Sequence, residues 1–167
     1  MIALPTKFAG ICVAAFVVVG CAGQVRSPKG ATLGSEYAEL VFALGVADTV
    51  SATAATTQEY RLGSTARFAE ARTVKIFTWA AKQPAAVLVP VRQRTFVYAR
   101  MTRLFGAPGV SYNGNDWCIN GASFLPEPNR RYRIEQRGEA SGICRLAILD
   151  EVTGQEAPGL EPVDFAS

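Results

Sequence analysis

The chain contains no histidine. That absence removes the commonest general base at neutral pH, and with it every Ser–His or Cys–His nucleophilic pair. Cysteine is scarce, with four residues, at 12, 21, 118 and 144. None belongs to a C-x-x-C pair, so without an imidazole a zinc-type site has too few ligands. No G-x-x-x-x-G-K-[ST] stretch is present to cradle a nucleotide's phosphates. No apolar run reaches the roughly 20 residues of a membrane-spanning helix. Acid–base chemistry is left to carboxylate pairs, of which Asp116 and Glu127 on neighbouring loops are the example. A glycosidase needs two carboxylates at a set separation across a cleft, and one acid per loop is thin support for that. The expectation is a protein that is not an enzyme and carries no cofactor and no metal. A small envelope hydrolase is the third reading.

What the sequence does have begins at Phe8. "FAGICVAAFVVVG" is 13 residues long, carries no charge and follows the single cation Lys7. A run of roughly 10–14 fits the core of an export signal. Ordinary export signals end in small residues before the cut, but here the end reads Val18-Val19-Gly20-Cys21. That ending resembles the lipobox of bacterial lipoprotein precursors: an aliphatic residue, a tolerant position, a small residue and a cysteine. The resemblance implies that the Cys21 thiol receives a diacylglycerol, that residues 1–20 are removed as a signal peptide, and that the new amino group is acylated. The rival reading is a structural cysteine in an ordinary signal, like Cys12. A single acyl chain holds a protein only marginally at about 0.8 kcal/mol per buried methylene, so two or three chains on Cys21 make a firm anchor. Ala22 stands where an aspartate marks inner-membrane lipoproteins of enteric-type bacteria. The resemblance therefore implies the outer membrane, facing the periplasm.

An exported chain meets an oxidising compartment. Cys118 and Cys144 are the two cysteines left in the mature chain, and an even count there reads as one disulfide. Closing a loop of about 27 residues stabilises a fold by roughly 3–4 kcal/mol in the chain-entropy model.

The net charge is +3, or +2 without residues 1–20. Its distribution says more than its size. Residues 91–149 hold nine arginines against Asp116, Glu127, Glu135 and Glu139, whereas residues 150–167 hold five acids and no base. A basic body with an acidic tail is one pattern of nucleic-acid binding, but a periplasmic protein does not meet that partner. The remaining readings are a solvated arginine-rich sheet face, a tail lying back over the arginines, and arginines meeting anionic lipid or cell-wall polymer.

After Cys21, "AGQVRSPKGATLG" is small, polar and broken by Pro28, which reads as a flexible tether over residues 21–34. From residue 35 to 167 the periodicity is mostly two. "AAVLVPV" sets Val87, Val89 and Val91 on one face, and Pro90 suits an edge strand. "RTFVYARMTRLF" sets Val97, Ala99 and Met101 against Phe96, Tyr98, Arg100 and Thr102, with Arg92 to Thr95 of hairpin-loop length between the two segments. "RTVKIFTWA" sets Val74 and Ile76 against Lys75, Phe77 and Trp79. "NGND" at 113–116 is a hairpin-type turn. "FLPEPNRRYRIEQRG" is a loop entering a strand with Tyr132, Ile134 and Gln136 on one face, and "ICRLAILD" returns after the turn "EASG". Residues 35–60 allow a helix capped by Ser35 and ended by Gly45, or two strands, 40–44 and 50–57, which the context favours. The sum is an all-β fold: a small β-sandwich of Ig-like or transthyretin-like architecture.

Two further resemblances concern function. "LGSEYAELVFALGVADTV" is similar to the opening of periplasmic haem- or siderophore-binding proteins, which implies a strand running into a helix and a ligand held between two lobes. Those proteins are much longer, and no second lobe fits in this chain. From Val74 onward the chain resembles small Gram-negative lipoproteins of unassigned function, on the valine-rich hairpin, the "WC" before a loop, "FLPEPNRRYRI" and the "GIC" cysteine. Tyr112, Trp117, Phe124, Arg130 and Arg131 flank the loops around the two cysteines, and aromatics beside arginines suit a carbohydrate, an anion or a partner surface. Arg92, Phe96, Tyr98 and Arg100 form a similar stripe that packs on the second sheet or on a partner. The expected partners are a bilayer, through acylated Cys21, and an envelope protein complex. The alternative is a periplasmic binder of haem, a chelate or a carbohydrate.

Overall fold

The computed structural model describes residues 25–45, 54–78, 82–105, 117–138 and 144–164. The lipobox at 18–21, Tyr112, the "NGND" turn with Asp116 and the "EASG" turn lie outside them. Nine strands are described: β1 (Tyr37–Phe42), β2 (Ala54–Gly63), β3 (Arg72–Phe77), β4 (Ala85–Pro90), β5 (Thr95–Phe105), β6 (Trp117–Phe124), β7 (Arg131–Gly138), β8 (Cys144–Asp150) and β9 (Glu161–Pro162). They form two sheets, in the orders β4-β1-β7-β8 and β3-β2-β5-β6-β9. The β1–β7 pair is parallel and the other ladders are antiparallel. The fold is an all-β sandwich, as the alternation predicts.

Both inner faces follow the period of two. Leu40, Phe42, Val87, Val89, Tyr132, Ile134 and Ile148 come from the first sheet, and Tyr60, Leu62, Val97, Ala99, Ala122 and Phe124 from the second. Burying each large side chain contributes about 1.5–3 kcal/mol. Aromatic pairs cross the gap between the sheets, Phe42 lying 5.5 Å from Tyr60 and Phe124 meeting Tyr132 at 5.0 Å, while within the second sheet Tyr60 meets Phe77 edge-on at 5.7 Å. Pro90 ends β4, an exposed edge strand, as expected.

Two local expectations fail for identifiable reasons. The valine-rich "hairpin" is not one. β4 pairs with β1 and β5 with β2, so residues 91–94 carry the chain from one sheet to the other. Both flanking strands bury one face, and the sequence pattern is the same whether two such faces sit side by side or opposed. Arg92 makes the reversal with a left-handed φ of 62°. The second failure is in β3. Tyr60 pairs with Lys75 but Arg61 pairs with Thr73, which leaves Val74 as an extra residue. This bulge shifts the alternation, so Val74 and Phe77 are buried while Ile76 is 51% exposed.

Gly45 shows why β1 and its continuation are strand and not helix. The backbone passes so close to β7 that a Cβ at Gly45 would sit 1.8 Å from the Gln136 carbonyl oxygen. The buried Gln58 amide serves Gly45 as a strand neighbour would. Its Nε2 donates to the Gly45 carbonyl at 3.1 Å and its Oε1 accepts the Gly45 N–H at 2.9 Å. Tyr60 completes the junction, donating to the Ala43 carbonyl at 2.9 Å and accepting the Gln136 N–H at 2.7 Å. Burial raises its phenol well above the ordinary tyrosine range.

The ends of the described chain close the two seams of the sandwich. At one seam the Val25 N–H donates to the Thr73 carbonyl of β3 at 3.0 Å, and the Ser27 hydroxyl accepts the Leu88 N–H of β4 at 2.9 Å. Val25 also packs against the core. Residues 25–27, within the expected tether, therefore form a strap across the β3 and β4 edges. At the other seam the Ala157 N–H donates to the Ile148 carbonyl of β8, and β9 pairs with β6. Unpaired sheet edges invite association with other chains, and here each is partly occupied from within.

Candidate interaction surface

Arg130 and Arg131 stand at the entry to β7, where the turn through Asn129 (φ 59°) brings the chain back into the sheet. The Tyr132 hydroxyl accepts the Glu127 N–H at 3.1 Å and so holds the preceding loop against the core. Arg130 lies 3.6 Å from Glu127 and 3.4 Å from Asp150. Arg131 lies 2.6 Å from Glu39 on β1 and 3.5 Å from Glu151 after β8. Two guanidiniums thus face four carboxylates. A site of that balance repels an anion, and the arginines expected to bind one instead tie β1, β7 and the β8 turn together. Asp150 also accepts the N–H groups of Thr153 and Val152, each at 2.9 Å. The Thr153 N–H bond leads the causes that lower its carboxyl below the ordinary value, with Arg130 adding to them.

The other predicted residues separate. Phe124 is fully buried in the core against Tyr132, so it belongs to no surface. Trp117 opens β6 in the opposite sheet from Arg130 and Arg131. Glu127, proposed as half of a carboxylate pair, has Arg130 beside it. The predicted stripe is covered by its own chain at Tyr98 alone; Phe96 and Arg100 are half-buried, and Arg92, exposed, precedes β5. Tyr98 is buried, donates to the Thr65 carbonyl at 2.8 Å and meets Phe68 edge-on at 5.7 Å. Phe68 belongs to a short 3-10 turn, Phe68–Glu70, and Arg61 lies over its ring at 4.4 Å.

The acidic tail does lie back over the basic body. Arg94 grips Glu161 of β9 with two hydrogen bonds, 2.7 and 3.1 Å, while also donating to Ser123 at 2.9 Å. What sequence reasoning missed is the outer face of β7. Arg133 and Arg137 flank Glu135, whose side chain is 4% exposed, and both donate to it. Arg145 of β8 stands directly opposite Arg137. Two arginines share one carboxylate there and a third stands beside them, next to the half-buried Val41 and Leu149 that pair with Arg133. The signal was present as Arg133-x-Glu135-x-Arg137, but only the pairing register adds Arg145.

No family model matches the chain, and no curated protein does. Among the described residues no helix is long and apolar enough to cross a membrane. Among the same residues no group of three or more His, Cys, Asp or Glu side chains is placed to hold a metal ion.

Proposed function

We propose that this chain is a cell-envelope lipoprotein, non-enzymatic, held in the outer membrane by acyl chains on Cys21 and facing the periplasm. Its role is structural or protein-interacting. The observation that carries this reading is Val18-Val19-Gly20-Cys21 closing an uncharged apolar run. The sandwich beyond it is consistent with an interaction module. Its inner space is filled by side chains, and the outer face of β7 and β8 presents arginines beside apolar residues, the composition of a partner surface. Arg130 and Arg131, occupied by four carboxylates, no longer favour a ligand-binding reading.

The same reading pairs Cys118 with Cys144 as a disulfide between the sheets. In support, Cys144 is disulfide-bonded. Cys118 occupies the β6 position opposite the buried Met101, and β6 and β8 approach each other across the sandwich. Replacing Cys21→Ser tests the anchor: the altered protein leaves the membrane fraction and keeps its unprocessed mass. Retention in membranes with normal processing refutes it. Crosslinking followed by capture then identifies the envelope partner, and an Arg133→Glu/Arg137→Glu variant that captures the same set at the same yield removes the β7 face from the proposal.

A further inference from the structure

The strap fixes which side of the sandwich meets the membrane. Resting on the Cys21 anchor, we infer that the β3 edge lies against an anionic phospholipid surface, with Arg26, Arg72, Lys75 and Ile76 as the contact.

The argument begins with reach. Cys21 and Val25 are four residues apart, and a fully extended chain spans at most about 3.3–3.6 Å per residue. The Cys21 Cα therefore lies within about 14 Å of the Val25 Cα, and the Val25 N–H is bonded to Thr73 of β3. That is less than the roughly 19 Å from β3 to β9 across the five-stranded sheet, so an anchor at this length is no long leash. Had residues 21–34 been free, the same anchor would have allowed any orientation. The strap at Val25 and Ser27 removes that freedom.

The chemistry of the edge agrees with its position. Arg26 is exposed on the strap next to Val25, and Arg72 is exposed at the start of β3. Lys75 is partly exposed on the same strand, on the face opposite Ile76, with its ammonium 5.7 Å over the Phe77 ring. Among the described residues of the β2–β3 ladder, the carboxylate opposite this stretch is Glu59, which pairs with Ile76. It is already engaged by Arg61 at 2.8 Å and by the Thr73 hydroxyl at 2.9 Å. Ile76 is half exposed on an edge strand because the bulge at Val74 turned it outward. An edge strand that carries an apolar side chain on one face and cations on the other, at the end of a short anchor, suits edge-on contact with the headgroup region, where each nearby Lys or Arg strengthens binding to anionic lipid about fivefold.

The test uses the full lipidated protein in vesicles of mixed phosphatidylglycerol and phosphatidylethanolamine. A photoreactive benzoylphenylalanine replaces Ile76, or in a second preparation Val152, which is 81% exposed in the turn after β8, the edge of the other sheet away from β4. The expected result is a lipid adduct at position 76 and none at 152. Arg26→Gln with Arg72→Gln should lower the docked-to-undocked ratio about 25-fold. Val25→Pro, which deletes the strap's donor, should abolish the preference for position 76 while the protein still floats with the vesicles. Flotation with equal adducts at both positions, or with more at 152, overturns this inference and leaves the anchor standing. A failure to float at all, with Cys21 intact, overturns the anchor and this inference with it.

Discussion

Tyr60→Phe isolates the junction that ties the two sheets together. The substitution removes one oxygen from a fully buried side chain and leaves the ring contacts with Phe42 and Phe77 intact. It deprives the Gln136 N–H of its 2.7 Å acceptor and the Ala43 carbonyl of its 2.9 Å donor. A buried polar group left without a partner costs about 1–3 kcal/mol, so two cost about 2–4 kcal/mol after partial relaxation. At about 3 °C per kcal/mol for a domain of this size, Tm falls by about 6–12 °C. Tyr98→Phe is the control. It removes a bond to the carbonyl of exposed Thr65, which water can replace, and should cost about 0.5–1 kcal/mol. The assay is urea unfolding at neutral pH, repeated at intervals above pH 10. The sign of the pH effect follows from linkage. Burial, with Glu135 adding to it, raises the folded-state pKa of Tyr60 above the unfolded value of 10.0, so its contribution is complete below that value. Stability then falls as pH rises beyond it, by at most about 1.4 kcal/mol per pH unit for this one group. Tyr60→Phe should fall less steeply there than the parent. If Tyr60→Phe costs no more than Tyr98→Phe, or if the alkaline slopes coincide, the junction does not hold the sheets as described.

Three other perturbations bear on the charged faces. Glu135→Gln leaves Arg133 and Arg137 without their shared carboxylate, opposite Arg145, and should destabilise by about 1–2 kcal/mol at low salt, with the deficit narrowing at 1 M salt; a deficit indifferent to salt would mean packing and not charge is responsible. Arg94→Ala should cost at most about 1 kcal/mol in global unfolding, because the ion pair with Glu161 is surface-exposed, yet raise amide exchange at Val163 and Ala157 by releasing β9; unchanged exchange refutes the clip. Asp150 has a folded pKa below its ordinary 3.8, so its stabilisation is present above that pH and is lost as pH falls through the lower folded value. Acid titration of Asp150→Ala should therefore show a flatter stability curve below about pH 4 than the parent.

The fold class was legible because both inner faces repeat with a period of two. Val87, Val89, Val97, Ala99, Tyr132 and Ile134 were each assigned to the correct face. Connectivity was less legible. Residues 91–94 have the length of a hairpin loop, and nothing local distinguishes a turn within a sheet from a step between sheets. The phase of β3 was misread because a bulge at Val74 depends on the pairing with β2, which no residue type announces. Arg130 and Arg131 looked like a binding pair because the sequence shows neighbours along the chain and hides neighbours across strands. Glu39 and Glu151 approach Arg131 from positions 92 and 20 residues away. Gln58 carried no signal at all. Its role depends on Gly45, whose lack of a side chain lets β1's extension press against β7.

The parallel pairing of β1 with β7 sets a schedule for folding. Glu39 finds its partner Arg131 only after some ninety further residues have been made. At a synthesis rate of about 5–20 residues per second, β1 waits about 5–18 s with one flank unmatched. Throughout that interval the first sheet stays open on the β7 side of β1, although by its end the β1–β4 and β2–β3–β5 ladders have all their residues. In the exported protein proposed above, a first sheet left open in this way is easier to thread than a finished sandwich.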